Sequence, residues 1–280
     1  MAKQQHDQDE PLVIGDATAL LFAGTRRSFL RKLMAGGTVL MMPSFFTACD
    51  DDDDNDNPLG PTPDPVTGLT LDLRSDVGIF RLTHVHEQVE AAFYTAVVAS
   101  SNFPSMFSAE ERELLVDLRN VEIIHREFIG AVLGAQAVPD LRGSINQATL
   151  NTILSSRANI LTTAKMLEHT GLAALNGSGK YITDARNLLV SGKLASVEAR
   201  HAAALRDVMP PSGVSANTAF AGDDIIDANG RDVKAEPQTA LQRDLSSGLV
   251  LAGTFASTPI TAGPTATQGV PTPDALPTTL

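Results

Sequence analysis

Hydrophobic residues recur at steps of three and four through the middle of the chain, instead of alternating with polar residues. Such steps match the 3.6-residue turn of an α-helix and give each helix one apolar stripe. The pattern covers four stretches: Asp76 to Ser100, Ser108 to Gln136, Leu150 to Asn176 and Thr183 to Met209. Helices of this length bury their apolar stripes against one another. The sequence therefore predicts an all-α fold, with a four-helix bundle over residues 71–210.

Boundary signals support this division. Ser108 is followed three residues later by Glu111, a spacing that forms a capping box at the start of a helix. Pro210 and Pro211 directly follow the fourth stretch and cannot continue a helix. Between residues 136 and 150 the helical period is interrupted. We therefore expect a long crossover between helices two and three.

Composition and charge narrow the classes of function. The 280 residues are 43% hydrophobic but only 5% aromatic, without Trp, which suits a helical bundle. A net charge of −12 gives the chain no attraction for phosphate backbones, so we expect no nucleic-acid partner. The single cysteine, Cys49, excludes an intramolecular disulfide and a cysteine-based zinc site.

Ionisable residues interrupt the apolar stripes at a similar level along the four predicted helices. The set consists of two Glu-x-x-His motifs, one on helix two and one on helix four, and of single glutamates on helices one and three: Glu122 with His125, Glu198 with His201, Glu87 and Glu168. Residues three apart on a helix point to the same side. Burying four carboxylates and two imidazoles without partners costs several kcal/mol per group, whereas two divalent cations neutralise the four carboxylates. The pattern predicts a two-metal site, and the alternative is that each motif forms a surface salt bridge.

Three segments resemble one protein family. They are His86–Tyr94 (HEQVEAAFY), Thr163–Gly177 (TAKMLEHTGLAALNG) and Ala195–Arg206 (ASVEARHAAALR). These segments resemble the bacterial exported ferritin-like domain proteins related to desiccation-related proteins. The ligand order Glu, Glu-x-x-His, Glu, Glu-x-x-His is that of ferritin-like di-iron and di-manganese carboxylate proteins. Gln88, Leu175 and Asn176 depart from the family pattern and leave all six candidate ligands in place.

The resemblance implies a cofactor of two iron ions, with manganese as the alternative. The implied metal ligands are Glu87, Glu122, His125, Glu168, Glu198 and His201. Glu122 and Glu198 are the expected bridging carboxylates, and the other two glutamates are the expected terminal ones. Glu90 also faces inward, one turn after Glu87, and is expected to replace or supplement it. Tyr94 lies on the same face, and we expect it to hydrogen-bond to a ligand.

Residues 1–48 are predicted to be a leader and signal peptide. Arg26 and Arg27 precede Phe-Leu, two further cations and an apolar run from Leu33 to Ala48. The segment resembles a twin-arginine translocation signal, which implies the twin-arginine export machinery as a partner and the export of a folded chain. The alternative is an ordinary secretory signal in which the arginine pair supplies only positive charge.

The apolar run ends in Phe46–Cys49 (FTAC), which resembles a bacterial lipobox. The resemblance implies that Cys49 is lipidated and that the protein contacts a membrane through this anchor. Residues 49–70 are acidic and rich in Pro and Gly, so they are predicted to be a disordered tether. The predicted location is outside the cytoplasm, in the periplasm or cell envelope.

Residues 211–280 turn to Gly, Pro, Ser and Thr, which predicts an irregular C-terminal extension. Within it, the segment from Thr239 to Ala256 is long enough for one short helix or strand, and we expect a floppy tail from Ser257 onward. Tails at both ends of the bundle would crowd the contacts of a closed cage. We therefore expect a monomer or a dimer.

These features together predict an exported ferritin-like protein with a carboxylate-bridged di-iron or di-manganese centre. Reaction with dioxygen or peroxide, of ferroxidase or catalase type, would protect the envelope against oxidative stress. The alternative is a non-catalytic structural or desiccation-related stress protein that uses the bundle without redox turnover.

Overall fold

Four long helices dominate the computed structural model, which describes residues 61–265. The elements in chain order are β1 (Leu69–Asp72), α1 (Asp76–Ala99), α2 (Phe103–Met106), α3 (Ala109–Leu133), α4 (Gln147–Ile153), α5 (Arg157–Ser178), α6 (Ala185–Val208), α7 (Ala216–Ala219), α8 (Pro237–Ser246) and β2 (Phe255–Ala262). The predicted all-α four-helix bundle is confirmed, with α1, α3, α5 and α6 as its helices. Arg26, Arg27 and Cys49 lie outside the described residues. None of the described helices is long and apolar enough to cross a membrane.

The bundle helices begin at side-chain caps. Ser108 forms the predicted capping box: its hydroxyl accepts from the Glu111 backbone N–H, and the Glu111 carboxylate accepts from the Ser108 backbone N–H at 2.9 Å. The predicted third helix is divided in two, because Ser156 caps a new helix at Arg157. α6 ends at Val208, before the proline pair.

The helices pair as two hairpins, α1 with α3 and α5 with α6, and α1 also packs against α5. The expected long crossover joins α3 to α5 and contains α4. Gln88 of α1 holds this crossover, because its side-chain oxygen accepts from the Leu141 N–H at 2.7 Å and its NH₂ donates to the Pro139 carbonyl at 3.2 Å. The buried Gln88 side chain therefore fastens the crossover to the bundle.

The C-terminal extension has more regular structure than its composition predicts. Helix α8 packs against α5 and α1; it begins two residues before the segment from Thr239 to Ala256, which is expected to form one short helix or strand, and ends inside it. Strand β2 pairs in parallel with β1, with Leu69 opposite Phe255 and Leu71 opposite Ile260. The prediction of a floppy tail from Ser257 onward is therefore wrong as far as Ala262, because β1 supplies a partner that the local pattern does not reveal.

The predicted tether also meets the domain before its expected end. The backbone N–H of Val66 donates to the Ser144 hydroxyl at 2.8 Å, and strand β1 begins at Leu69. In addition, Asn146 N–H donates to the Leu249 carbonyl at 2.7 Å, which joins the crossover to the C-terminal extension. The segments before and after the bundle are thus tied to each other and to the crossover.

Candidate metal centre

The four bundle helices bring the six predicted ligand residues together in the middle of the domain. α1 carries Glu87, α3 carries Glu122 and His125, α5 carries Glu168, and α6 carries Glu198 and His201. The four glutamates are no more than 1% exposed. Their positions on the inward stripes explain this burial, because a polar residue at an apolar position is carried into the core with its neighbours.

His125 lies among carboxylates from three helices. Its Nδ1 atom is 3.1 Å from Glu122 Oε2, 3.2 Å from Glu198 Oε1 and 3.3 Å from Glu87 Oε2. One ring nitrogen donates at most one hydrogen, so His125 alone cannot satisfy all three oxygens. The three carboxylates and the imidazole therefore converge on one position.

His201 forms the second half of the cluster. Its Nδ1 atom lies 2.8 Å from Glu122 Oε1 and 3.1 Å from Glu168 Oε2. The Tyr94 hydroxyl donates to Glu168 Oε1 at 2.6 Å, so Tyr94 contacts a candidate ligand as the sequence predicts. The rings of His125 and His201 are stacked with their centroids 6.3 Å apart. The two halves of the cluster thus lie side by side.

Two overlapping groups of ligand atoms result from this arrangement. In each group all the atoms lie within 4.8 Å of one another, and the groups are Glu87, Glu122, His125, Glu198 and Glu122, Glu168, Glu198, His201. Each group offers three carboxylates and one imidazole. Glu122 and Glu198 occur in both, and they are the two residues predicted to bridge. Oxygen and imidazole donors suit iron and manganese.

Several buried oxygens of the cluster lack partners. Within residues 61–265, neither carboxylate oxygen of Glu198 and neither of Glu90 has a hydrogen-bond partner, and the same holds for Glu87 Oε2. A buried carboxylate without a partner costs several kcal/mol, and it shifts its pKa or binds a cation instead. These residues therefore fit a pair of divalent cations.

Residues 75–210 match the family model of a ferritin-like domain. The chain contains a ferritin-like domain. The matched segment begins at the residue that caps α1 and ends just after α6, so it includes all six clustered ligand residues. The C-terminal extension lies beyond it. Among curated proteins and among solved structures, no match to the chain is found.

Protonation of the carboxylates in the ferritin-like domain depends on their position. Burial raises the pKa of Glu87, and burial with neighbouring carboxylate charges raises the pKa of Glu198 well above its ordinary value. Burial acts in the same direction on Glu122, but hydrogen bonds with His125 and His201 outweigh it and lower its pKa to about 2. Glu122 is therefore ionised, while the other two carboxylates hold protons more readily.

The two histidines hold protons strongly for the converse reason. Burial opposes their charge, but the charge of Glu87 and a hydrogen bond with Glu122 raise the pKa of His125 well above its ordinary value. In the same way, hydrogen bonds with Glu122 and Glu168 outweigh burial and raise the pKa of His201 to about 10. In the absence of metal, protons on the two imidazoles thus balance part of the carboxylate charge. A metal ion that binds these nitrogens must displace those protons.

Glu90 is fully buried and lies outside both ligand groups. Its Oε1 atom pairs with His86, whose Nε2 atom is 3.2 Å away. The other ring nitrogen of His86 is 2.8 Å from Asp244 Oδ1 on α8. Sequence reasoning missed Asp244, because it stands 158 residues from His86 in a segment without a recognisable motif.

Gly171 of α5 makes room for the His86 ring. A Cβ atom at this position would lie 2.6 Å from His86 Nε2 and 2.9 Å from its Cδ2 atom. Glycine costs up to about 1 kcal/mol relative to alanine inside a helix. Its presence in the middle of α5 is explained by the imidazole that packs against it.

Proposed function

We propose that this protein is an exported, lipid-anchored ferritin-like protein whose bundle binds two iron ions, with manganese as the alternative metal. Glu122 and Glu198, which belong to both ligand groups, would be shared between the two ions. The observation that carries it is the overlap of two four-residue groups on these two carboxylates. Two divalent cations carry four positive charges, which equals the negative charge of the four glutamates in the groups. This charge balance offsets the free-energy cost of burying the carboxylates.

The remaining residues of the centre have distinct roles in this proposal. Glu87 and Glu168 each bind one ion, and His125 and His201 supply one nitrogen to each group. Tyr94 holds Glu168 in place through its hydroxyl hydrogen bond. The bound ions would supply redox chemistry toward dioxygen or peroxide.

The substrate class follows from the burial of the site. The histidine side chains of His125 and His201 are 8% and 11% exposed, whereas the glutamates are closed to solvent. Only a small molecule reaches ligands this deeply buried, which supports dioxygen or hydrogen peroxide as the oxidant. We propose protection of the cell envelope against oxidative stress as the biological role.

Metal loading of the purified full chain tests this proposal. After removal of metal, anaerobic titration with Fe²⁺ should end at about two ions per chain. The double variant Glu122→Gln with Glu198→Gln should lose both ions, because each residue belongs to both groups. Glu113→Gln, an exposed position on the same helix as Glu122, is the matched control and should bind normally. Two ions retained by the double variant would contradict the bridging roles.

Reaction of the loaded protein separates the two candidate functions. Addition of peroxide or dioxygen to the two-iron form should oxidise the iron and change its absorption spectrum. A protein that binds two ions but neither oxidises them nor consumes peroxide would instead be the non-catalytic stress protein.

Size-exclusion chromatography with light scattering should give a monomer or a dimer, and a 24-subunit particle would contradict this.

Export and anchoring rest on the N-terminal sequence alone. Replacement of Arg26 and Arg27 by lysine should block twin-arginine export, and Cys49→Ser should remove the lipid and release the protein from the membrane fraction. A chain that is still exported after the first change uses another route. A Cys49→Ser chain that still fractionates with the membrane would refute lipidation.

A further inference from the structure

The C-terminal extension contributes a buried carboxylate to the surroundings of the metal centre. Asp244 lies on α8, beyond the ferritin-like domain, and is 2% exposed. Its Oδ1 atom is 2.8 Å from Nδ1 of His86 on α1. A carboxylate only accepts, so Nδ1 of His86 carries the hydrogen of this bond.

The contact continues from His86 into the bundle. With Nδ1 held by Asp244, the opposite ring nitrogen is directed at Glu90 and lies 3.2 Å from its Oε1 atom. The imidazole sits against Gly171, where any side chain would displace it. Nδ1 of His86 is thus held by Asp244, and its Nε2 atom is enclosed between Glu90 and Gly171.

Glu90 connects this line of residues to the ligands. It is fully buried; its Oε1 atom pairs with His86 Nε2 at 3.2 Å, whereas no described residue donates a hydrogen bond to its Oε2 atom. Glu90 lies one turn after Glu87 and one turn before Tyr94, whose hydroxyl binds Glu168, so these three residues share one side of α1. A buried carboxylate in this position has the His86 ring as a cationic partner.

We propose that Asp244 is a positioning residue of the metal centre, which holds His86 and through it orients Glu90 toward the carboxylates that bind metal. The inference rests on the proposed function, since it concerns the same centre. Residues that hold a metal ligand through a hydrogen bond typically change metal affinity 10- to 100-fold when they are replaced. For Asp244, which acts through His86 and Glu90, we expect the lower end of this range. In this proposal the C-terminal extension covers the bundle and also influences metal binding through Asp244.

A merely structural role is the competing explanation. In that case the Asp244–His86 bond only docks α8 on the bundle, and its loss disturbs the site in a general way. A double-mutant cycle separates the two explanations, because residues that act through one another are not additive. If Asp244 acts through Glu90, replacing Asp244 has little effect once Glu90 is changed.

The experiment is a titration of the metal-free full chain with Co²⁺, followed by visible absorption. Asp244→Ala should weaken binding of at least one ion by about tenfold or more in the unaltered chain and by less than about twofold in a Glu90→Gln chain. Asp244→Asn should restore most of the affinity and the spectrum, because the amide oxygen still accepts from His86. Glu236→Gln is the matched control: Glu236 is an exposed residue directly before α8, and it accepts from the Tyr181 hydroxyl at 2.7 Å.

Each outcome distinguishes this inference from the function on which it rests. An equal loss in both Glu90 backgrounds, or no loss in either, would overturn the positioning role while leaving the metal centre intact. Failure of the unaltered chain to bind Co²⁺ would overturn the proposed function and this inference with it. If Asp244→Ala does not fold, His86→Leu breaks the same line of contacts and should show the same dependence on Glu90.

Discussion

Without metal, the centre should make the protein less stable as pH rises. Although burial opposes it, hydrogen bonding to Glu122 and Glu168 raises the pKa of His201 to about 10, whereas an unfolded histidine titrates near 6.5. Between these values the folded chain binds a proton that the unfolded chain has released. The stabilisation from His201 is therefore complete below pH 6.5 and is lost as pH rises toward 10.

The size of the effect follows from proton linkage. One group in this window changes the free energy of unfolding by about 1.36 kcal/mol per pH unit, so His201 alone accounts for about 2.7 kcal/mol between pH 7 and 9. For a domain of this size the melting temperature should fall by about 5–10 °C. Glu198 acts in the same direction, because its raised pKa keeps a proton on the folded chain above pH 4.5.

Bound metal should reverse this dependence. Ligands must lose their protons to bind a metal ion, so affinity increases with pH, and a metal that binds only the folded chain stabilises it by an amount that grows with affinity. The assay is thermal unfolding from pH 6 to 9, with chelator in one series and Mn²⁺ in the other. Mn²⁺ avoids oxidation of the metal during heating.

The control for this prediction is His201→Gln, which removes the titrating group. Its metal-free melting temperature should depend less on pH than that of the unaltered chain. A metal-free melting temperature that rises or stays constant between pH 7 and 9 would show that the histidines do not hold these protons. The charge balance inferred for the centre would then be wrong.

Further predictions concern packing around the centre. Tyr94→Phe leaves a buried glutamate oxygen without its donor, so we expect the chain to lose about 1–3 kcal/mol in chemical denaturation and to bind metal more weakly; unchanged values would contradict this. Gly177→Ala places a Cβ atom 1.8 Å from the Ala235 carbonyl oxygen and should cost about 1–3 kcal/mol, whereas Gly192→Ala, with open space around it, should be neutral or stabilising by up to about 1 kcal/mol. Equal melting temperatures for the two glycine variants would refute the close approach. Truncation after Gly253 removes β2, and an unchanged melting temperature would show that its pairing with β1 adds no stability.

Much of the helical domain could be predicted from the sequence because its information is local. The stripes of apolar residues and the Ser108 capping box depend on residues within a few positions of one another. The candidate ligands were found for the same reason, since the glutamate and histidine of each motif are three residues apart. A helix brings such residues to one side whatever the rest of the chain does.

The features that the sequence did not predict depend on distant residues. The hydroxyl of Thr261 donates to the carbonyl of Leu71 across 190 residues, in a pairing of two short strands. Strand β2 is rich in threonine and contains a proline, so its composition resembles that of a loop. Asp244 was missed in the same way, because an isolated aspartate on a short helix carries no local sign of a buried histidine partner.

The pairing of β1 with β2 also sets an order of assembly. Strand β1 leaves the ribosome early and its partner is synthesised about 180 residues later, so the sheet cannot close until almost the whole described chain has been made. All six metal-binding candidates are synthesised before α8 and β2. The helices that carry these residues are therefore complete before the strand that closes the sheet is made. The pairing of β1 with β2 is thus the last contact between elements that synthesis of the described chain makes available.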